Sequence, residues 1–152
     1  MTMKIYISGK IGEEVLTEAT REKFAQAERM LRQLGYDVFN PTTSGLGATA
    51  EEHAKKHGTT FYREILVCDI IALNLCDAIY MLRDWHNSPG SFVELCFAQA
   101  AGIDVLFSER ADAWDYLNNK FEEEAGTLHT VASRDEYIDS RINDAWLPLK
   151  NA

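Results

Sequence analysis

The chain has 152 residues, enough for one domain with a sizeable core, and its 46% hydrophobic and 26% charged content is ordinary for a globular protein. Fifteen basic against twenty-four acidic side chains leave a net charge of −9, which disfavours long nucleic acid as a partner, although a few N–H donors still suffice for one nucleotide. No apolar run approaches a membrane span, and Met1-Thr2-Met3-Lys4 opens a strand rather than a signal peptide, so the expected setting is the cytoplasm with no membrane partner.

The first predicted strand covers residues 4–8 and ends at Gly9. Phe24, Ala27, Leu31 and Leu34 then recur at helical spacing, and Gly35 follows as a stop. Tyr36-Asp37-Val38-Phe39 reads as a short second strand, halted by Asn40-Pro41. Residues 42–58 hold three glycines and no clear period, which predicts a mobile loop with at most one helical turn. A long helix is expected over 59–75, a third strand over 77–82, a loop over 83–90, a helix over 92–101 and a fourth strand over 103–107.

Beyond residue 107 the pattern weakens. Trp114, Leu117 and Phe121 point to a helix, and residues 128–131 to a fifth strand. Ser133-Arg134-Asp135-Glu136 has the form of a capping box, opening a last helix through Tyr137, Ile138, Ile142 and Trp146. The Trp and Tyr side chains of this tail are candidates for a subunit interface.

Strands alternating with helices predict an α/β chain, a flavodoxin-like three-layer fold with a mainly parallel sheet of four or five strands. Right-handed crossovers favour the strand order 2-1-3-4. We read residues 1–152 as a single domain, with a core over 1–107 and an extension over 108–152. Ligands bind such sheets at the carboxyl ends of the strands, where the loops over residues 8–12 and 83–90 meet.

Ser88-Pro89-Gly90-Ser91-Phe92-Val93-Glu94 lies at that place. A Gly/Ser loop opening a helix points backbone N–H groups at an anion, and Glu94 in the first helical turn would stand beside it. That combination points to chemistry on a phosphorylated small molecule. Ser91 to Glu94 equally fits a capping box, which needs no ligand. Asp69 sits at the centre of an apolar stripe formed by Tyr62, Ile65, Leu66, Ala72, Leu73 and Cys76. Either it pairs with a buried donor or it faces a cavity as a functional carboxyl. Tyr6 reads first as a core aromatic. Cys68, Cys76 and Cys96 lack CxxC spacing and are expected as reduced, buried thiols. His53 and His57 have the spacing of a helical metal pair, but Ala54-Lys55-Lys56 between them supplies no glutamate base, and a solvated pair is expected.

Three segments in register resemble the nucleoside 2-deoxyribosyltransferase superfamily: Lys4-Ile5-Tyr6-Ile7-Ser8-Gly9, then Asp69-Ile70 ahead of Cys76-Asp77-Ala78-Ile79-Tyr80, then Ser88-x-Gly90-x-x-x-Glu94. Their spacing is similar to that of the 2′-deoxynucleoside 5′-phosphate N-hydrolases, and Trp85 before the Ser-x-Gly loop matches a small bacterial and phage branch. The likeness covers residues 3–107. It implies N-glycosidic cleavage or deoxyribosyl transfer on a nucleoside or nucleotide, without metal or organic cofactor. Glu94 would be the nucleophile, Asp69 the carboxyl that assists departure of the base, and Tyr6 the group that orients Glu94. Ser8, Gly9, Ser88 and Gly90 would bind substrate, the last two at a 5′-phosphate. Lys10 and Gly12 stand where the N-hydrolases tend to carry Ser and Arg, and Lys10 would reach a phosphate as a point charge. The resemblance also implies a homo-oligomer in which a neighbour completes each site. Two other readings stay open: a nucleotide sensor of the same fold without catalysis, and an assembly protein using Trp114, Tyr137 and Trp146.

Overall fold

The computed structural model describes residues 2–12, 15–126 and 130–150. Strand β1, Lys4–Ser8, is apolar on both faces, and Ile5, Tyr6 and Ile7 are wholly buried. Such a run marks a parallel strand covered on two sides. Strands β2, Asp37–Phe39, β3, Ala78–Met81, and β4, Asp104–Phe107, complete a four-stranded sheet in the order β2-β1-β3-β4, with every pair parallel. The three-layer, flavodoxin-like expectation and its strand order are therefore met.

Helix α1, Glu18–Gln33, starts at the Thr17 cap, which accepts from Thr20 N. Phe24, Ala27, Met30 and Leu31 form its buried stripe against Ile5, Ile7, Val38 and Tyr80. Full burial of a side chain such as Phe24 stabilises the fold by roughly 2–3 kcal/mol. Helices α3, Phe61–Asn74, and α4, Pro89–Ala101, pack on each other, and their Leu73, Leu95 and Ala98 join a second cluster with Tyr6, Ile79 and Met81.

Residues 42–58 are not a mobile loop. They hold helix α2, Leu46–His57, packed against α3. Gly45 and Gly58, with φ of 77° and 67°, are its two cap residues rather than loop markers. Periodicity missed α2 because Ala50 is its one buried position. Lys55, Lys56 and His57 in its last turn favour the carboxyl end of a helix, a signal the sequence did carry. The segment predicted as a second loop contains a 3-10 turn over Arg83–Asn87.

The tail also departs from expectation. Helix α5, Arg110–Ala125, is present. Of the predicted fifth strand, residues 128 and 129 lie outside the described residues, while Thr130 caps and Val131 opens helix α6, Val131–Asp139. Its capping box joins Thr130 and Ser133, not Ser133 and Glu136. The last helix breaks at Ser140 before α7, Ile142–Ala145, and Trp146 bridges to Phe107 in parallel register. Leu147 N donates to Phe107 O at 2.9 Å and Tyr80 Oη donates to Leu147 O at 2.7 Å, so the tail covers part of the β4 edge. Trp114, Tyr137 and Trp146 are partly buried against the core, with Arg134, Arg141 and Arg110 over their rings. They pack the tail against the core. No helix among the described residues is long and apolar enough to cross a membrane.

Candidate active site

Side chains two apart on a strand share a face, so Tyr6 and Ser8 both point from β1 toward α3 and α4. Ser88 caps α4 by accepting from Ser91 N, with Pro89 at the first helical position. The helix thus begins earlier than expected. Glu94 falls in its second turn, and the proposed Ser91–Glu94 capping box does not form. Ser91, Glu94, Leu95 and Ala98 instead make up the face that α4 buries. A carboxyl on that face must be hydrogen-bonded. Tyr6 Oη donates to Glu94 Oε2 at 2.6 Å, and Ser8 Oγ donates to Oε1 at 2.7 Å. The Tyr6 ring is fixed in turn by stacking on Phe39, with centroids 5.2 Å apart.

Asp69 reaches the same region from α3. It lines one cavity of about 610 Å³ together with Tyr6, Gly9, Ser88, Gly90 and Glu94. Asp69 Oδ1 is buried and finds no hydrogen-bond partner among the described residues. The first alternative posed by the apolar stripe, a buried donor partner, is thus not what the fold provides at that oxygen. Burial, and then the nearby Glu94 charge, pushes the Asp69 carboxyl up to about 8. Burial also raises Glu94, to about 7, against the downward pull of the Tyr6 and Ser8 hydrogen bonds. Both carboxyls are raised, and Asp69 the more so, which makes it the one that keeps its proton longer as pH rises.

Close approach of two loops forms the rim. A Cβ on Gly9 would lie 2.8 Å from Leu82 Cδ1 and 3.2 Å from Asp84 Oδ1, so any larger residue there would have to push those side chains aside. Asp84 accepts from Lys10 N at 3.0 Å and from Lys23 Nζ at 2.7 Å, and Lys23 Nζ also donates to Lys10 O at 2.6 Å. This clamp ties the loop after β1 to the turn after β3, and no sequence motif announces it. Its three members are 13 and 61 positions apart from one another in order, with no pattern to link them.

Of the predicted substrate-binding residues, Gly9, Ser88 and Gly90 line the cavity. Ser8 holds Glu94, and the exposed Lys10 stands outside the lining. Cys68 and Cys76 are buried thiols, but Cys96 is exposed, contrary to expectation. His53 and His57 form an exposed pair on α2, and His57 Nδ1 lies 3.3 Å from Glu64. The described residues contain no cluster of three or more His, Cys, Asp or Glu able to hold a metal. A larger groove of about 970 Å³, along β4 and the tail, contains none of the candidate residues.

Nothing among the curated proteins or the solved structures matches the chain. Residues 3–107 match the model of a family described as Domain of unknown function (DUF4406), a span that ends with β4 and includes Tyr6, Asp69 and Glu94. The chain that carries this paired-carboxyl cavity is a member of the DUF4406 family.

Proposed function

We propose that the protein cleaves or transfers the N-glycosidic bond of a nucleoside or nucleotide, as its resemblance to the nucleoside 2-deoxyribosyltransferase superfamily implies. One observation carries the reading: two carboxyls from separate helices line one cavity, one held by two hydroxyls and the other with an unpartnered buried oxygen. A Glu94 oxygen attacks the anomeric carbon as the bond to the base nitrogen breaks. The bonding electrons leave with that nitrogen, which takes the proton from Asp69. The resulting glycosyl ester is attacked by water, or by a second base, whose proton returns to Asp69 as the ester C–O bond breaks. Tyr6 and Ser8 aim the Glu94 carboxylate for attack, favour its ionised form before it, and receive it again when the ester C–O bond breaks.

The test is incubation of the protein with a panel of ribo- and deoxyribonucleosides and their 5′-monophosphates, with free base followed by chromatography. Release of base from at least one is expected, with a narrow bell-shaped pH profile. Its acid limb follows protonation of Glu94 near 7, and its alkaline limb follows loss of the Asp69 proton near 8. Binding without release from any of them overturns the catalytic reading in favour of a sensor.

The exposed apolar side chains support a homo-oligomer. Val67, Ile71 and Leu75 line one stripe of α3, Ile71 being 61% and Leu75 73% exposed, and Phe92 is exposed on the neighbouring α4. Tyr62 and Val93, also exposed, belong to the cavity rim, so a second copy seated here lies over the site. Size exclusion with light scattering is expected to give a dimer or larger, and Ile71→Glu a monomer. A monomeric wild type at micromolar concentration refutes this. A site for free nucleosides or nucleotides, together with free cysteines, supports a cytoplasmic setting.

A further inference from the structure

Helix α5 lies beyond the span shared with the family, which ends at residue 107, yet one of its side chains reaches back toward the cavity rim. Asp112, in the first turn of α5, sets both carboxyl oxygens against the 3-10 turn over Arg83–Asn87. Trp85 Nε1 donates to Asp112 Oδ2 at 3.2 Å, and His86 Nε2 lies 2.7 Å from Oδ1. An ionised carboxylate only accepts, so the pairing selects a His86 ring that carries its proton on Nε2. The Asp112 side chain is 12% exposed, and water competes little for either contact. The Trp85 and His86 ring centroids are 3.9 Å apart, and Trp85 also packs on Phe107, which meets Tyr116 one turn further along α5.

Trp85 is bonded in turn to the loop of the candidate site. Its carbonyl accepts from Ser88 N at 3.1 Å, and Ser88 Oγ accepts from Ser91 N at 3.1 Å where α4 begins. Ser88 and Gly90 line the cavity, whereas Trp85, His86 and Asp112 lie outside the lining. The other side of the turn is held by Asp84, through Lys10 N and Lys23 Nζ. Arg83 and Glu109 also approach at this junction, at 3.6 Å, but Arg83 is 88% exposed and such a pair adds little. A carboxyl serving only the positive end of α5 would need neither ring. We infer that Asp112 is a positioning residue: from the tail it braces Trp85 and, through the Trp85 carbonyl, fixes the Ser88–Gly90 loop. The brace stands on the hydrogen bonds, and its consequence for substrate rests on the glycosidic reading above.

The experiment compares the wild type with Asp112→Ala, Trp85→Phe, their double variant, Asp112→Asn, and Asp115→Ala, which removes a charge from an exposed position of the same helix. Amide hydrogen exchange over residues 85–91 is expected to quicken about tenfold in Asp112→Ala and in Trp85→Phe, with the amides of β1 unchanged. The double variant is expected to match Asp112→Ala within about twofold, because both substitutions remove the same bond. Asp115→Ala should exchange like the wild type. So should Asp112→Asn, whose amide oxygen accepts from Trp85 while its amide nitrogen donates to the other tautomer of His86. For whichever nucleoside or nucleotide releases base, KM is expected to rise about fivefold in Asp112→Ala with kcat within about twofold. Trp85→Phe, which keeps an aromatic ring and loses the N–H, carries the test if Asp112→Ala does not fold. Wild-type exchange over residues 85–91 in the single variants overturns the brace, and so do effects that simply add in the double variant. A fall in kcat with KM unmoved overturns the positioning role. Absence of base release from the wild type sinks the glycosidic reading instead, and the exchange rates then decide the brace by themselves.

Discussion

Replacing Glu94 by alanine is expected to lower base release by about 10³-fold or more, since it removes the group placed to form the glycosyl ester. The choice of Glu94 rests on geometry. Both of its oxygens are taken by hydroxyls from β1, at 2.6 and 2.7 Å, and the residue is only 6% exposed. A carboxyl whose work was to cap α4 would face the helix end, and this one faces the cavity. Glu94→Gln retains the volume and keeps an acceptor for Tyr6 or Ser8, and the same loss of rate is expected in a protein that melts no lower. Measuring initial rates of base release on both variants separates chemistry from folding. Turnover by Glu94→Ala at the wild-type rate would refute the nucleophile role.

Asp69→Asn is expected to slow base release by about 10²-fold and at the same time to make the protein more stable. The slower rate follows from loss of the proton donor, and it is greatest for poor leaving bases. The stability gain follows from linkage. The Asp69 carboxyl is raised to about 8 in the folded chain, whereas in the unfolded chain it titrates in the ordinary carboxylate range near 4. Between those values the folded state binds more protons than the unfolded one, so native stability falls as pH rises from about 4 to about 8. Below that range both states are protonated and the burial penalty on the charge is absent. An asparagine does not ionise and removes this slope. At pH 8 linkage over some four units sets an upper bound of about 5 kcal/mol on the gain, and a clear rise in Tm is expected. At pH 4 the two proteins should differ little. Thermal melts across that range check the slope. A destabilised Asp69→Asn at pH 8 would mean that the carboxyl serves a structural partner rather than a leaving base.

Much of the core is legible in the sequence. The wholly apolar Ile5-Tyr6-Ile7 run, the Phe24–Leu31 stripe and the stops at Gly35 and Gly102 are local patterns, and the sheet order follows from chain handedness once the strands are placed. Helix α2 escaped because it lies on α3 rather than in the core and buries little of its own surface. The tail escaped because its aromatic residues serve packing on β4 and α5, which no periodicity announces.

The candidate site divides along the same line. Residue type and spacing alone pointed to Asp69, Ser88 and Glu94, through a carboxyl in an apolar stripe and a Ser/Gly helix start, whereas Tyr6 reads as a core aromatic until the family resemblance singles it out. What only folding could decide was their company. Glu94 meets hydroxyls 86 and 88 positions away, and Asp69 Oδ1 meets no donor among the described residues. The Asp84–Lys23 clamp holds the backbone of Lys10 and leaves its exposed side chain without a partner role that the sequence could foresee. Proton affinity depends on burial and on neighbours remote in the chain, and those are properties of the packed molecule.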